Sequence, residues 1–158
     1  MPRPTITEIK EKIIKFCLYQ ERSPWETQQK LLALGCDYSL SQEILTELIL
    51  ENYVNEERFC YEYAYGKFTL KKWGRLKIRQ GLQEHHASPR NIENALQKAI
   101  DPKLYESILL ELLQKKWQSL PSTLSNYEKK IKLSHYAAQK GFEWELISEA
   151  IQNFFSQN

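Results

Sequence analysis

The chain has 158 residues, of which 42% are hydrophobic and 12% aromatic, and its 22 basic and 20 acidic residues leave a net charge of +2. This composition excludes intrinsic disorder, which combines low hydrophobicity with high net charge, and it is ample for a packed core. No stretch approaches the roughly 18 uninterrupted apolar residues of a membrane-spanning helix, and no signal-peptide apolar segment follows the amino terminus. We therefore expect a cytosolic protein that does not contact a membrane.

Helix starts are encoded repeatedly along the chain, whereas strand signals are almost absent. A capping side chain accepts a hydrogen bond from one of the unsatisfied N–H groups of the first helical turn. The predicted caps are Thr5, Ser23, Ser39, Asn55, Ser88, Asp101 and Ser125. Proline follows Ser23, Ser88 and Asp101 at the first helical position, where its missing N–H costs nothing. With a fifth helix from Gly74 to His85 and a ninth from Phe142 to Phe155, the sequence predicts nine helices and an all-α fold.

Three of the predicted helix ends align with one another. They read Leu31-x-x-x-Gly35-Cys36, Leu82-x-x-x-His86-Ala87 and Ala137-x-x-x-Gly141-Phe142, and they are 51 and 55 residues apart. A unit of a few helices that recurs at a fixed period is typical of repeat proteins. We therefore predict three tandem three-helix repeats, at residues 1–52, 53–100 and 101–158, stacked into an elongated and curved body.

The most one-sided charge pattern lies between Gly66 and Leu82, a segment with six cations and no acidic residue. The rest of the chain has 22 − 6 = 16 cations against 20 anions, so the positive charge is local. The first predicted repeat has 6 cations and 8 anions, the second has 9 and 5, and the third has 7 and 7, so only the second is basic. A basic segment interleaved with apolar residues can hold its cations toward a phosphate backbone or an acidic protein surface. The alternative for the segment is a solvated helix face that keeps the protein soluble. For Trp73, a role as core anchor of the middle repeat is the alternative to base stacking.

The sequence offers no arrangement typical of catalysis or of metal binding. The three cysteines are widely spaced and form no C-x-x-C motif, so we expect buried free thiols at Cys17, Cys36 and Cys60. His85 and His86 are adjacent and point about 100° apart on a helix, which is unsuited to holding one metal ion. We expect them to be exposed at a helix end and His135 to be half-buried. The sequence therefore predicts a protein that is not an enzyme and has no cofactor.

Several short segments carry a resemblance to a known family. They are Asn55-Glu56-Glu57-Arg58-Phe59-Cys60, Gly66-Lys67-Phe68, Lys72-Trp73-Gly74-Arg75-Leu76-Lys77-Ile78, Ile92-x-x-Ala95-Leu96 and Lys140-Gly141-Phe142. Together they resemble the signature of the RecX family, over about residues 7 to 155. The resemblance implies an all-helical protein of three three-helix repeats. It also implies binding to the filament of the RecA recombinase on DNA, usually restraining RecA in homologous recombination, DNA repair and the SOS response.

Three places depart from that family pattern. Asn55 stands where acidic residues are usual but can still cap a helix, and Cys60 replaces alanine. His85-His86-Ala87 replaces Lys-Gly-Ile at the end of the fifth helix, and we expect that helix end to need another geometry. None of these changes touches the basic segment.

The resemblance implies two partners, the RecA filament and the single- or double-stranded DNA within it. The residues that we expect to bind them are Lys67, Lys71, Lys72, Trp73, Arg75, Lys77 and Arg79. We also expect the protein to act as a monomer. Two alternatives stay open: a nucleic-acid-binding helical module that acts without RecA, and a helical adaptor that recognises a protein through its tyrosines and leucines.

Overall fold

A computed structural model of the chain describes residues 2–157, and over that range it has nine α-helices and no strand. The helices are α1 (Ile6–Tyr19), α2 (Pro24–Ala33), α3 (Tyr38–Leu50), α4 (Glu56–Thr69), α5 (Arg75–Glu84), α6 (Pro89–Ala99), α7 (Pro102–Ser119), α8 (Asn126–Gln139) and α9 (Trp144–Gln157). The prediction of an all-α fold is confirmed.

Most helices begin where the capping residues predict. The side chains of Ser23 and Ser125 each form a complete capping box with the glutamate three residues later. One predicted cap is wrong: α3 is capped by Asp37, whose Oδ1 accepts a hydrogen bond from the N–H of Leu40 at 2.8 Å, and Ser39 lies inside the helix. Asp37 lies two residues before Ser39 and has an extended backbone, so its side chain caps the first turn and the helix begins at Tyr38. The ninth helix also begins later than predicted, at Trp144.

The three helix ends that align in the sequence share one hydrogen-bonding pattern. At the ends of α2, α5 and α8, an N–H donates to the carbonyl five residues earlier at 3.2 Å, pairing Cys36 with Leu31, Ala87 with Leu82 and Phe142 with Ala137. The residue before each donor has a positive φ: 110° at Gly35, 58° at His86 and 97° at Gly141. This is the Schellman motif. The recurrence is consistent with the repeats, while their boundaries at residues 52 and 100 stay a prediction.

The end of α5 reaches this geometry without glycine, so the expectation of a different geometry there is wrong. A left-handed backbone costs a residue with a side chain about 1–2 kcal/mol. The His86 ring stacks on the Trp25 ring, with centroids 4.8 Å apart and planes 23° apart. Stacked aromatic rings contribute about 0.5–1.5 kcal/mol, which offsets most of that cost.

The chain divides into two compact units. The first comprises Met1–Tyr63 and Leu82–Ala95. Within it α2 packs against α1 and α3, because each helix has an apolar side. The buried cluster of this unit consists of Ile9, Ile13, Cys17, Leu31, Cys36, Ile44, Leu48 and Val54.

The second unit comprises Ala64–Gly81 and Leu96–Asn158, and therefore contains nearly all of the basic segment. Here α7 packs against α8 and α9. A run of three buried rings joins its parts: the centroid of Tyr105 lies 5.8 Å from that of Phe68 and 4.9 Å from that of Phe142. These rings anchor the second unit beneath the turn that connects α4 and α5.

Across residues 2–157, no helix is both long and apolar enough to cross a membrane.

Candidate binding surface

The turn between α4 and α5, residues 70–74, presents the centre of the basic segment. Lys67 lies in the last turn of α4, where the helix dipole favours a cation. Lys71 is exposed on the turn itself, and Lys72 takes the left-handed conformation, with φ 59°, that ends the helix. Arg79 follows on α5 with a half-buried side chain. The local sequence therefore places these cations on two helix ends and the turn that joins them.

Two of the lysines meet on one indole ring. The Nζ atoms of Lys67 and Lys77 lie 4.8 Å and 4.5 Å from the centroid of the Trp73 ring. Trp73 is half-buried and is not part of the fully buried core. Each cation–π contact contributes about 0.5–1 kcal/mol at an exposed site. The ring thus holds two ammonium groups in one neighbourhood and raises the positive potential there.

Arg75 is turned away from this cluster into an internal ion pair. Its Nη1 donates to Oε2 of Glu143 at 2.8 Å, and its guanidinium carbon lies 4.0 Å from the centroid of the Tyr105 ring. Both charged side chains of the pair are 25% exposed. Arg75 therefore has a carboxylate partner within the protein. The predicted contact of Arg75 with RecA or DNA stays a prediction.

Tyr105 hydrogen-bonds to both members of the pair formed by Arg75 and Glu143. Its hydroxyl donates to Oε1 of Glu143 and accepts a hydrogen bond from the backbone N–H of Arg75 at 2.9 Å. Burial, and then the hydrogen bond to the Glu143 carboxylate, raise the pKa of the Tyr105 phenol. The phenol therefore stays protonated at neutral pH and remains a donor to Glu143.

Two glycines hold the start of α5 against the turn between α8 and α9. The N–H of Gly74 donates to the carbonyl of Lys140 at 2.7 Å, and the N–H of Leu76 donates to that of Gly141 at 2.9 Å. A Cβ atom added at Gly74 would lie 2.5 Å from the backbone nitrogen of Phe142, and one at Gly141 would lie 2.6 Å from that of Lys77. The two backbones can approach this closely only because both residues are glycine.

This junction decides how the surface can bind an anion. The N–H groups of Gly74, Arg75 and Leu76 all donate to internal acceptors. A phosphate at the amino terminus of a helix is normally held by such groups. Here these three N–H groups are occupied and are not available to hold a phosphate. The sequence segments Trp73-Gly74-Arg75 and Lys140-Gly141-Phe142 are thus parts of one structural junction.

The histidines lie outside the basic segment, and two of them differ from expectation. His85 is half-buried rather than exposed: its Nδ1 lies 3.0 Å from Oγ of Ser23, and its ring centroid lies 4.9 Å from that of Phe59. His135 is exposed rather than half-buried. Within the described residues 2–157, no group of histidine, cysteine, aspartate and glutamate side chains could hold a metal ion.

The three cysteines are free and buried, as predicted. Burial is the main cause that raises the pKa of each thiol, and with the nearby charge of Glu56 it raises that of Cys60 to about 12. A thiol reacts through its thiolate. These cysteines are therefore packing residues rather than nucleophiles at neutral pH.

Two protein-family models match the chain. One, described as the second three-helix domain of RecX, matches residues 55–96, and the other, described as the third three-helix domain of RecX, matches residues 105–151. The first match contains all seven residues of the predicted binding surface. The Gly74 and Gly141 sides of the junction fall in different matched domains.

Relatives and a solved structure agree with these matches. A "Regulatory protein RecX" from Clostridium acetobutylicum is 24% identical over 151 residues, which cover 94% of this chain and 70% of that protein. One from Chlorobium limicola is 26% identical over 145 residues, covering 90% and 86%. The crystal structure of RecX from Lactobacillus salivarius has the same fold, with a TM-score of 0.83 at 24% identity over 94% of this chain and 95% of that one.

Proposed function

The chain belongs to the RecX family, and we propose that it binds the RecA filament on DNA and inhibits RecA ATP hydrolysis, filament growth and strand exchange. Its relatives are named regulatory proteins, which supports control of another protein rather than catalysis. The second three-helix domain contains the whole basic segment, so the charge lies in a part of the chain that the family model matches.

The contact of Lys67 and Lys77 with Trp73 is the observation that carries this proposal. It gathers two ammonium groups on one ring, and Lys71 is exposed on the same turn. A filament on DNA is a polyanion with a repeating surface, so several modest charged contacts can add along it. Arg75 takes part indirectly, since its pair with Glu143 holds the turn in place.

The test measures RecA-dependent ATP hydrolysis on single-stranded DNA as the protein is added. We expect the wild-type protein to lower the rate near stoichiometric ratios. The double variant Lys71→Glu, Lys77→Glu should need about tenfold more protein, since losing two charge contacts of about 0.7 kcal/mol each removes about 1.4 kcal/mol of binding free energy. The matched control is Lys12→Glu, Lys15→Glu, which makes the same charge change at two exposed positions of α1.

Each result separates the proposal from the alternatives. Unchanged ATP hydrolysis at stoichiometric excess of the wild-type protein contradicts it. Inhibition that both double variants retain favours an adaptor that recognises RecA through apolar and aromatic contacts. Tight binding to DNA with no effect on RecA-dependent ATP hydrolysis favours a nucleic-acid-binding module that acts alone. Fluorescence anisotropy with labelled DNA measures that binding directly.

A further inference from the structure

A second basic site lies in the carboxyl-terminal part of the chain, where α7 and α8 border an open cavity of about 550 Å³. Its basic lining residues are Lys116 near the end of α7 and Lys132 and His135 on α8. The connecting segment adds an apolar wall that includes Leu120 and Leu124. No carboxylate is among the residues of the described chain that line this cavity.

The sequence around the cavity is also rich in positive charge. Residues 114–140 contain six cations and one anion, although residues 101–158 as a whole balance at 7 and 7. The single anion, Glu128, serves a structural purpose, because its Oε1 accepts a hydrogen bond from the N–H of Ser125 in the capping box of α8. Of the six cations, Lys115 is paired with Glu111, at 3.2 Å, and lies outside the cavity, whereas Lys116 and Lys132 line it.

Three residues of α8 that line the cavity lie on one side of the helix. Lys132, His135 and Tyr136 are spaced at i, i+3 and i+4 on α8, so their side chains share one side of the helix. The Nζ of Lys116 lies 5.2 Å from the centroid of the Tyr136 ring, which holds that ammonium group beside the α8 residues. The Nζ of Lys140 lies 6.0 Å from the same ring. One aromatic ring thus organises cations from two helices.

We propose that this cavity binds a nucleoside phosphate, with the phosphate on Lys116, Lys132 and His135 and the sugar and base against Leu120 and Leu124. A bare inorganic anion would use the cations but not the apolar wall. The volume falls within the roughly 300–1,000 Å³ of small-molecule sites, and a few polar groups beside an apolar lining are typical of such sites. The nucleoside phosphate can be one unit of a single strand or a free nucleotide. The proposal goes beyond the proposed function, since it needs neither RecA nor the turn at residues 70–74.

The test measures binding of a fluorescein-labelled oligothymidylate to the full chain, without RecA, by anisotropy between 50 and 200 mM salt. The variant is Lys116→Gln, Lys132→Gln. The matched control is Lys12→Gln, Lys15→Gln, which removes the same charge from exposed lysines of α1 outside the cavity. For single strands the logarithm of affinity falls by about 0.7 per phosphate contact for each tenfold rise in salt. If the variant loses two contacts, the ratio of wild-type to variant affinity should therefore fall about sevenfold between 50 and 200 mM salt.

The proposal holds if the cavity variant binds more weakly with the flatter salt dependence, the control matches wild type, and Lys116→Arg, Lys132→Arg restores binding. Competition then identifies the source: displacement of the strand by millimolar thymidine monophosphate indicates a free nucleotide, and displacement only by unlabelled oligothymidylate indicates a strand. Equal loss in the variant and the control, or wild-type binding in the variant, overturns the proposal. Displacement by inorganic phosphate as effective as by thymidine monophosphate also overturns it, because the apolar wall would then contribute nothing. None of these outcomes depends on RecA, so a failure here leaves the proposed function untouched.

Discussion

Replacing Gly74 by alanine tests the junction that holds the basic turn. The added Cβ would lie 2.5 Å from the backbone nitrogen of Phe142 and would also overlap the carbonyl of Gly141. These are backbone atoms of the turn between α8 and α9, so no side chain can rotate out of the way. The hydrogen bond from the N–H of Gly74 to the carbonyl of Lys140, 2.7 Å long, would have to lengthen or break.

The other glycines make the expected magnitude specific. Forcing extra volume into a packed contact costs about 1–3 kcal/mol, and Gly74→Ala should lie at the upper end because the contact is with backbone. Gly141→Ala adds left-handed strain at φ 97° and should cost about 3 kcal/mol or more. Gly35→Ala has left-handed strain, at φ 110°, but nothing within 4 Å of its Cβ, so it should cost only about 1–2 kcal/mol. Gly66→Ala, inside α4 with the same open space, should stabilise by about 0.5–1 kcal/mol.

The assay is urea denaturation followed by far-ultraviolet circular dichroism, with the free energy of unfolding extrapolated to water for all four variants. The expected order of stability is Gly66→Ala above wild type, then Gly35→Ala, then Gly74→Ala and Gly141→Ala. A Gly74→Ala protein as stable as wild type would refute the close approach of the two turns. Equal losses for Gly141→Ala and Gly35→Ala would show that backbone strain alone accounts for Gly141.

Two further predictions concern buried groups. Tyr105→Phe removes the hydroxyl that accepts from the N–H of Arg75 and donates to Glu143, and the unsatisfied N–H should lower the free energy of unfolding by about 1–3 kcal/mol; a neutral substitution would contradict that hydrogen bond. Burial, and then the charge of Glu56, raise the pKa of the Cys60 thiol in the folded protein from 9.0 to about 12. The stability that comes from keeping this thiol protonated is therefore complete below pH 9 and is lost as the pH rises toward 12. Denaturation measured between pH 9 and 11 should show stability falling more steeply in the wild type than in Cys60→Ala, by about 1.4 kcal/mol per pH unit, and parallel curves would contradict the burial of the thiol.

The helix ends could be predicted from the sequence because they depend on nearby residues. The caps at Ser23 and Ser125 and the ends at Gly35 and Gly141 use hydrogen bonds that span three to five residues. His86 shows the limit of that reasoning. The stacking partner that accompanies its left-handed backbone is Trp25, which lies on another helix far away in sequence.

For the candidate binding surface, the sequence predicts only how many charges the segment contains. The six cations between residues 66 and 82 are plain in the sequence, but the loss of Arg75 to Glu143 depends on a contact across 68 residues. The cavity between α7 and α8 was missed for a related reason. Residues 101–158 balance at 7 and 7, and only a count over residues 114–140 shows the segregation of the cations.

The central claim is that the surface formed by Lys71 on the turn and Lys77 at the start of α5 contacts the RecA filament on DNA. The most direct measurement is co-sedimentation of the labelled protein with preassembled filaments over a series of salt concentrations. We expect wild-type and Lys12→Glu, Lys15→Glu proteins to sediment with the filament and to be released together as salt rises, while Lys71→Glu, Lys77→Glu should need about tenfold more filament to sediment at low salt and should be released at a lower salt concentration. Sedimentation of that last variant to the wild-type level at every salt concentration would contradict the claim.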